Sequence, residues 1–187
     1  KATGGAISFY GGKTIHTFTS SGTFATTSDW SPTNVEYVVV GGGGAGCLSD
    51  VAGAGGAGGY ITNTNHPIGT HPVTVNVQVG AGGAGQSHPD ADSPGGDGTP
   101  SYFGTPLTAY GGGGGASPNG TLRDGGSGGG GAYNDPSGGT GSRQTGAAPQ
   151  SAAPITPQGN PGGHGPTQPP AWGSGGGGGA GGAGGDG

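Results

Sequence analysis

Val35-Glu36-Tyr37-Val38-Val39-Val40 runs without a break into Gly41-Gly42-Gly43-Gly44-Ala45-Gly46. The first six residues are β-branched, aromatic or alternating, the signature of a strand. They form the most apolar segment of the chain and are expected centrally in a sheet, buried on both faces near its end. The next six carry nothing larger than a methyl group. At this junction the chain leaves ordinary β grammar and enters a glycine grammar that it keeps to residue 187.

Upstream of the junction, residues 1–40 read as β. Ala6-Ile7-Ser8-Phe9-Tyr10 is a short strand, and Gly11-Gly12 supplies the positive φ angles of a tight hairpin turn. Residues 13–19 alternate, with His16 and Phe18 on one face and the odd positions on the other. Residues 23–27 are a third strand, and Asp29-Trp30-Ser31-Pro32-Thr33-Asn34 is turn chemistry around one large aromatic.

Downstream, strand-like pieces alternate with glycine runs. The pieces are 60–62, 73–79 (Val on one face, polar groups on the other), 101–103 and 105–110. The runs are 41–46, 53–59, 80–85, 111–115, 125–131, 138–141, 159–165 and 173–187. The Ala pairs 54/57, 81/84 and 180/183 are three apart. That period matches the left-handed polyproline-II-type helix, with 3 residues per turn and about 3.1 Å rise, so a six-residue run spans about 19 Å. Such a helix has no internal hydrogen bonds, and its N–H and C=O groups need partners outside it. Bare glycine edges let neighbours approach and bond laterally. Flexible glycine linkers are the alternative reading.

Composition sets the limits. Of 187 residues, 55 are Gly and 16 are Pro; 7% are charged, and the net charge is −5. Gly costs about 1 kcal/mol and Pro about 3 per helical position, which excludes any useful α-helix. No stretch of about 20 apolar residues exists to cross a membrane. Four basic residues leave no electrostatic footprint for nucleic acid. Leu, Ile, Val and Phe number 21, and 19 of them precede residue 111, so the ordered apolar core belongs there. The expected architecture is therefore mostly β and irregular: a small N-terminal antiparallel β-sandwich, then a bundle of packed polyglycine-II helices. Residues 1–40 are the N-terminal strands, 41–110 mix strands with the first glycine runs, and 111–187 hold the polyglycine-II-rich region with Pro/Ser-rich loops. Residue 1 is Lys, no Met is present, and the chain stops in a glycine run, which reads as a processed product or a fragment.

Few motifs carry chemistry. Gly41, Gly43 and Gly46 satisfy G-x-G-x-x-G after a strand, but more glycine follows where a dinucleotide fold needs a helix, and position 66 is His instead of an acid. No phosphate-binding G-x-x-x-x-G-K-[ST] exists. Asp90, Asp92 and Asp97 are candidate calcium ligands, yet the twelfth position from Asp90 is Ser101, and solvated turn aspartates are the simpler reading. His66, His71 and His88 each precede Pro and fit no zinc spacing. Cys47, the single cysteine, lacks a local base and reads as a small buried or half-exposed thiol. Asn119-Gly120-Thr121 is a glycosylation sequon by pattern. No acid–base pair or nucleophile set stands out, so no enzyme and no cofactor are expected. Tyr133, His164 and Trp172 lie in polar loops where no apolar core exists. They suit contacts to sugars or to other protein surfaces, or else cover the ends of the glycine layers.

Residues 11–24 (GGKTIHTFTSSGTF), then Val35–Val40 entering Gly41–Gly44, resemble the glycine-rich domain of bacteriophage tail and tail-fibre proteins. GAGGY at 56–60, VTVNVQVGAGG at 73–83 and SYFG at 101–104 follow in the same order. The family's C-terminal strand is not present, and the Pro-rich stretch 147–172 departs from its more uniform repeats. The resemblance implies a virion component whose polyglycine-II helices form a scaffold and whose loops contact a host-cell receptor, protein or glycan. It implies other tail or fibre proteins as partners, with trimers plausible by association with fibres, and adhesion without a chemical step. A structural filament or coat protein, and an ice-binding protein on the same helices, are the alternatives.

Overall fold

The structure is a computed structural model that describes residues 1–86, 93–105, 107–118, 123–133, 158–166 and 173–187. Among these residues there is no helix, and about 29% are strand. Nine strands appear: β1 (Ala2–Thr3), β2 (Ala6–Tyr10), β3 (Lys13–Thr17), β4 (Gly22–Thr26), β5 (Asn34–Val40), β6 (Tyr60–Pro67), β7 (Thr74–Gln78), β8 (Ser101–Phe103) and β9 (Leu107–Ala109). They build three antiparallel sheets: β1-β4-β7-β8-β9, the hairpin β2-β3, and the ribbon β5-β6. The β2-β3 turn is the expected one, with Gly11 and Gly12 at φ 56° and 76°.

A five-stranded sheet assembled from residues 2–109 joins the N-terminal strands to those of the 41–110 stretch. The reason is apolar complementarity. Phe24 on β4 stands opposite Val75 on β7, and Phe103 on β8 stands opposite Val77. Phe24 is 5% exposed and makes edge-to-face contacts with His16, Trp30 and Phe103. His71 stacks on Trp30. The His71 ring is fixed at both nitrogens, by Pro32 O (2.7 Å) and by the buried Thr26 hydroxyl (3.0 Å), which also accepts the Val73 N–H (3.0 Å). A carbonyl only accepts, so Nε2 carries the proton and Nδ1 accepts from Thr26.

β5 corrects its own expectation. Among the described residues it pairs with β6 alone, and its burial alternates, leaving Val38 and Val40 60% and 51% exposed. A two-stranded ribbon has one covered face, so the even positions of β5 remain outside however apolar they are.

The remaining described chain is irregular in secondary structure but ordered in its bonding. From the ends of β5, β7 and β9 a glycine run leaves the sheets, and runs return into β6 and β8. Run 53–59 shows the pattern. The N–H groups of Gly53, Gly56 and Gly59 donate to Ala116, Gly113 and Tyr110 at 2.7–2.8 Å. Those of Ala54 and Ala57 donate to Gly175 and Gly178. The carbonyls of Ala54 and Ala57 accept from Gly130 and Ser127. Bonds to each neighbour thus recur at every third residue. Where runs face one another the packing leaves no room for side chains: a Cβ built on Gly44, Gly56, Gly98 or Gly112 falls under 3.0 Å from a backbone carbonyl of the next run. Two carboxamides stitch this lattice. Gln158 accepts the Tyr110 N–H at 2.8 Å and donates to Thr108 O at 2.9 Å, joining the lattice to β9. Asn160 donates to Gly179 O at 2.8 Å.

Candidate functional site

The bonding pattern fixes the direction of each run. Gly113 and Ala116 donate to Ser127 and Gly130, so runs 111–117 and 125–133 are parallel and both lead away from the sheets. Gly128 and Gly131 donate to Asn160 and Gly163, so 158–166 leads away too. Gly175 and Gly178 donate to Gly131 and Gly128, in reverse order, so 173–179 returns. The end of the lattice remote from the sheets therefore gathers the turn after Cys47, Ser117, Tyr133 and His164.

Two of the three sequence-picked contact residues meet at this end. A Cβ on Gly165 reaches the carbonyl of Ala132 and lies 3.1 Å from Tyr133 N, so the chain after His164 runs directly beside Tyr133. Tyr133 is half-buried and its N–H donates to Val51 O at 3.0 Å. His164 is exposed; its N–H donates to the Asp186 carboxylate at 2.8 Å, and its carbonyl accepts from Gly187. Trp172 lies outside the described residues. The Cys47 thiol is half-buried and donates to Ser93 O at 3.1 Å. Ser117 is fully buried, and its hydroxyl has no hydrogen-bond partner among the described residues. This end offers a phenol, an imidazole, a carboxylate and several carbonyls, held on backbone that is bonded to its neighbours.

The aspartates have other work. Asp97 accepts the Gly114 N–H on Oδ1 at 2.9 Å and pairs with Arg123 through Oδ2 at 3.0 Å. Asp90, Asp92 and His88 lie outside the described residues. Among the described residues no three His, Cys, Asp or Glu side chains gather as a metal site. His66 makes an edge contact with Tyr37, and partial burial holds its pKa below the usual imidazole value. The same burial raises the Tyr37 phenol.

A second concavity was not legible in the sequence. An open cleft of about 470 Å³ lies on the outer face of β7-β8-β9, lined by Thr74, Asn76, Tyr102, Gly104, Thr105 and Thr108. Alternation along β7 puts Thr74 and Asn76 on one face, but only strand pairing brings Thr108 opposite Tyr102 and sets both beside them. The lining is uncharged. It offers hydroxyls, one carboxamide and one aromatic ring, which suits a neutral polar group and provides no nucleophile–base pair.

The described architecture and its glycine lattice agree with a family match. A model described as a glycine-rich domain matches residues 19–187. No curated protein and no solved structure matches the chain. With all but the first 18 residues covered, the chain belongs to the glycine-rich domain family.

Proposed function

We propose that the glycine runs are polyglycine-II helices and that the chain is a non-enzymatic virion component of a bacteriophage tail or tail fibre. The observation that carries this reading is the three-residue period of the lateral bonds. In run 53–59 successive N–H groups turn to different neighbours and return to the same neighbour every third residue. This period supports the reading, because a polyproline-II-type helix has three residues per turn and no internal hydrogen bonds. A scaffold of this kind presents no side chains along its runs. Recognition then belongs to the loops at its remote end, where Tyr133 and His164 sit, with a host-cell surface protein or glycan as partner and no chemical step. Backbone bonded on several sides limits the ordering cost of binding.

Two measurements test the reading. Amide exchange across 111–117, 125–131 and 173–179 is expected to show strong protection; exchange at random-coil rates there refutes the helices. Fluorescently labelled chain is expected to adsorb to a susceptible strain in a panel of bacteria, with retention reduced in Tyr133→Ala and His164→Ala. Uniform failure to adsorb, with thermal hysteresis or concentration-dependent fibres instead, transfers the scaffold to the ice-binding or filament alternative.

A further inference from the structure

β2 has the properties of an interface strand. All five of its residues are exposed, with Phe9 and Tyr10 at 78% and 82%, and among the described residues its only strand partner is β3. On the other side β3 is tied to the body: Lys13 pairs with Glu36 of β5 at 2.6 Å, and the His16 ring bonds Gly4 O and contacts Phe24. β2 is thus the outer edge of a two-stranded hairpin, and alternate residues along it turn their N–H and C=O groups outward. Natural edge strands are blunted by charge, Pro or a bulge. Ala6-Ile7-Ser8-Phe9-Tyr10 has no charge and no Pro, and it pairs with β3 without a register shift. A lone two-stranded hairpin is marginal in water, whereas three or more strands with an apolar face are stable.

We infer that β2 pairs antiparallel with β2 of a second copy across a two-fold axis at Ser8, forming a four-stranded sheet β3-β2-β2-β3. The sequence is self-complementary about that residue. Ile7 stands opposite Phe9 of the second copy twice, and small Ala6 stands opposite large Tyr10 twice. Ile7 and Phe9 share one face of the strand, so the two copies join four apolar side chains into one cluster. No like charges meet, because β2 carries none. A two-fold interface uses the same patch on both subunits and closes without further growth. This hairpin precedes the residues matched by the glycine-rich model, so the pairing is independent of the adhesion reading.

Sedimentation equilibrium of the 187-residue chain over about 1–100 μM is expected to show a monomer–dimer equilibrium. Ile7→Lys and Phe9→Lys, both at exposed positions, are expected to raise its Kd at least about tenfold. Leu48→Lys, at an exposed apolar position outside the hairpin, is expected to leave it unchanged. Ile7 and Phe9 amides are expected to gain exchange protection as concentration rises. A monomer throughout the range overturns the inference, as does any oligomer, a trimer included, that survives Ile7→Lys and Phe9→Lys.

Discussion

Gly43 and Gly44 are adjacent, and alanine is expected to act on them with opposite sign. A Cβ on Gly44 falls under 3.0 Å from the carbonyl of Gly113 and at 3.0 Å from the Gly112 oxygen, which are backbone and have no rotamer to change. Runs 41–47 and 111–117 are joined by Gly112 N–H to Gly42 O at 2.8 Å and Gly115 N–H to Ala45 O at 2.9 Å. A retreat on the order of 1 Å takes both bonds past the roughly 3.2 Å limit of useful geometry. Gly112 and Gly115 are buried, so each orphaned N–H costs about 1–3 kcal/mol. The alanine itself returns about 0.4–1 kcal/mol by restricting the unfolded chain. The net expectation for Gly44→Ala is a loss of about 3 kcal/mol, from the two orphaned groups less that return. At roughly 2–4 °C per kcal/mol this lowers Tm by about 6–12 °C. Gly43 is exposed, and a Cβ there meets nothing nearer than Gly56 O at 3.8 Å. Gly43→Ala is expected to be neutral or to raise Tm by a degree or more, from the unfolded-state gain alone. Thermal and urea unfolding followed by circular dichroism read both variants. Equal Tm values for the two, or a Gly44→Ala protein within about 0.5 kcal/mol of the parent, refute close backbone packing as the cause of the glycine requirement.

Three further outcomes follow from side-chain geometry. Asp97→Ala is expected to cost about 1–3 kcal/mol in urea unfolding, because it strips the acceptor from the buried Gly114 N–H. Asp97→Asn keeps that acceptor and loses only a partly exposed ion pair with Arg123, for about 0–1 kcal/mol. Thr26→Val is expected to cost about 1–3 kcal/mol, since Val73 N–H and His71 Nδ1 lose a common partner, and Thr26→Ser is expected to recover most of it. His66 binds its proton less tightly folded than unfolded, so its contribution is complete above the unfolded value of 6.5 and declines as pH falls below it. The Tm difference between the parent and His66→Gln, measured at pH 7.5 and pH 5, is expected to move against the parent at the lower pH. An unchanged difference refutes it.

The β half was readable where side chains alternate. Residues 6–10, 13–17 and 74–78 carry period-two patterns, and the structure places strands there. Ala2–Thr3 and the polar reach of β6 through Asn63 and His66 carry no such pattern; they are strands because β4 and β5 offer them an edge. Val38 and Val40 misled because an apolar run signals burial without saying how many faces will be covered. In the lattice the limit is more basic. Runs 41–46 and 111–115 have nearly the same composition, so nothing in either specifies its neighbour. The order comes from the strands that launch and receive each run. Tyr133 and His164 were visible as aromatic groups in polar loops, but their meeting at one end depends on run direction. The roles of Gln158, Asn160 and Asp97 as surrogate backbone partners had no sequence signal beyond a polar residue next to glycine.

A lattice closed by amide-to-carbonyl bonds, with its apolar side chains held elsewhere, has a thermal consequence. Unfolding it hydrates mainly peptide groups. Exposed polar area lowers the heat capacity by about 0.26 cal/K/mol per Å², whereas exposed apolar area raises it by about 0.45. The lattice therefore adds little to the heat-capacity increment that bends the stability curves of oil-cored domains, or subtracts from it. Its free energy of unfolding therefore curves little with temperature: stability keeps rising on cooling, and the cold limb of the curve recedes. The loops at the remote end are thereby carried on a support that stays folded in cold water as well as in warm.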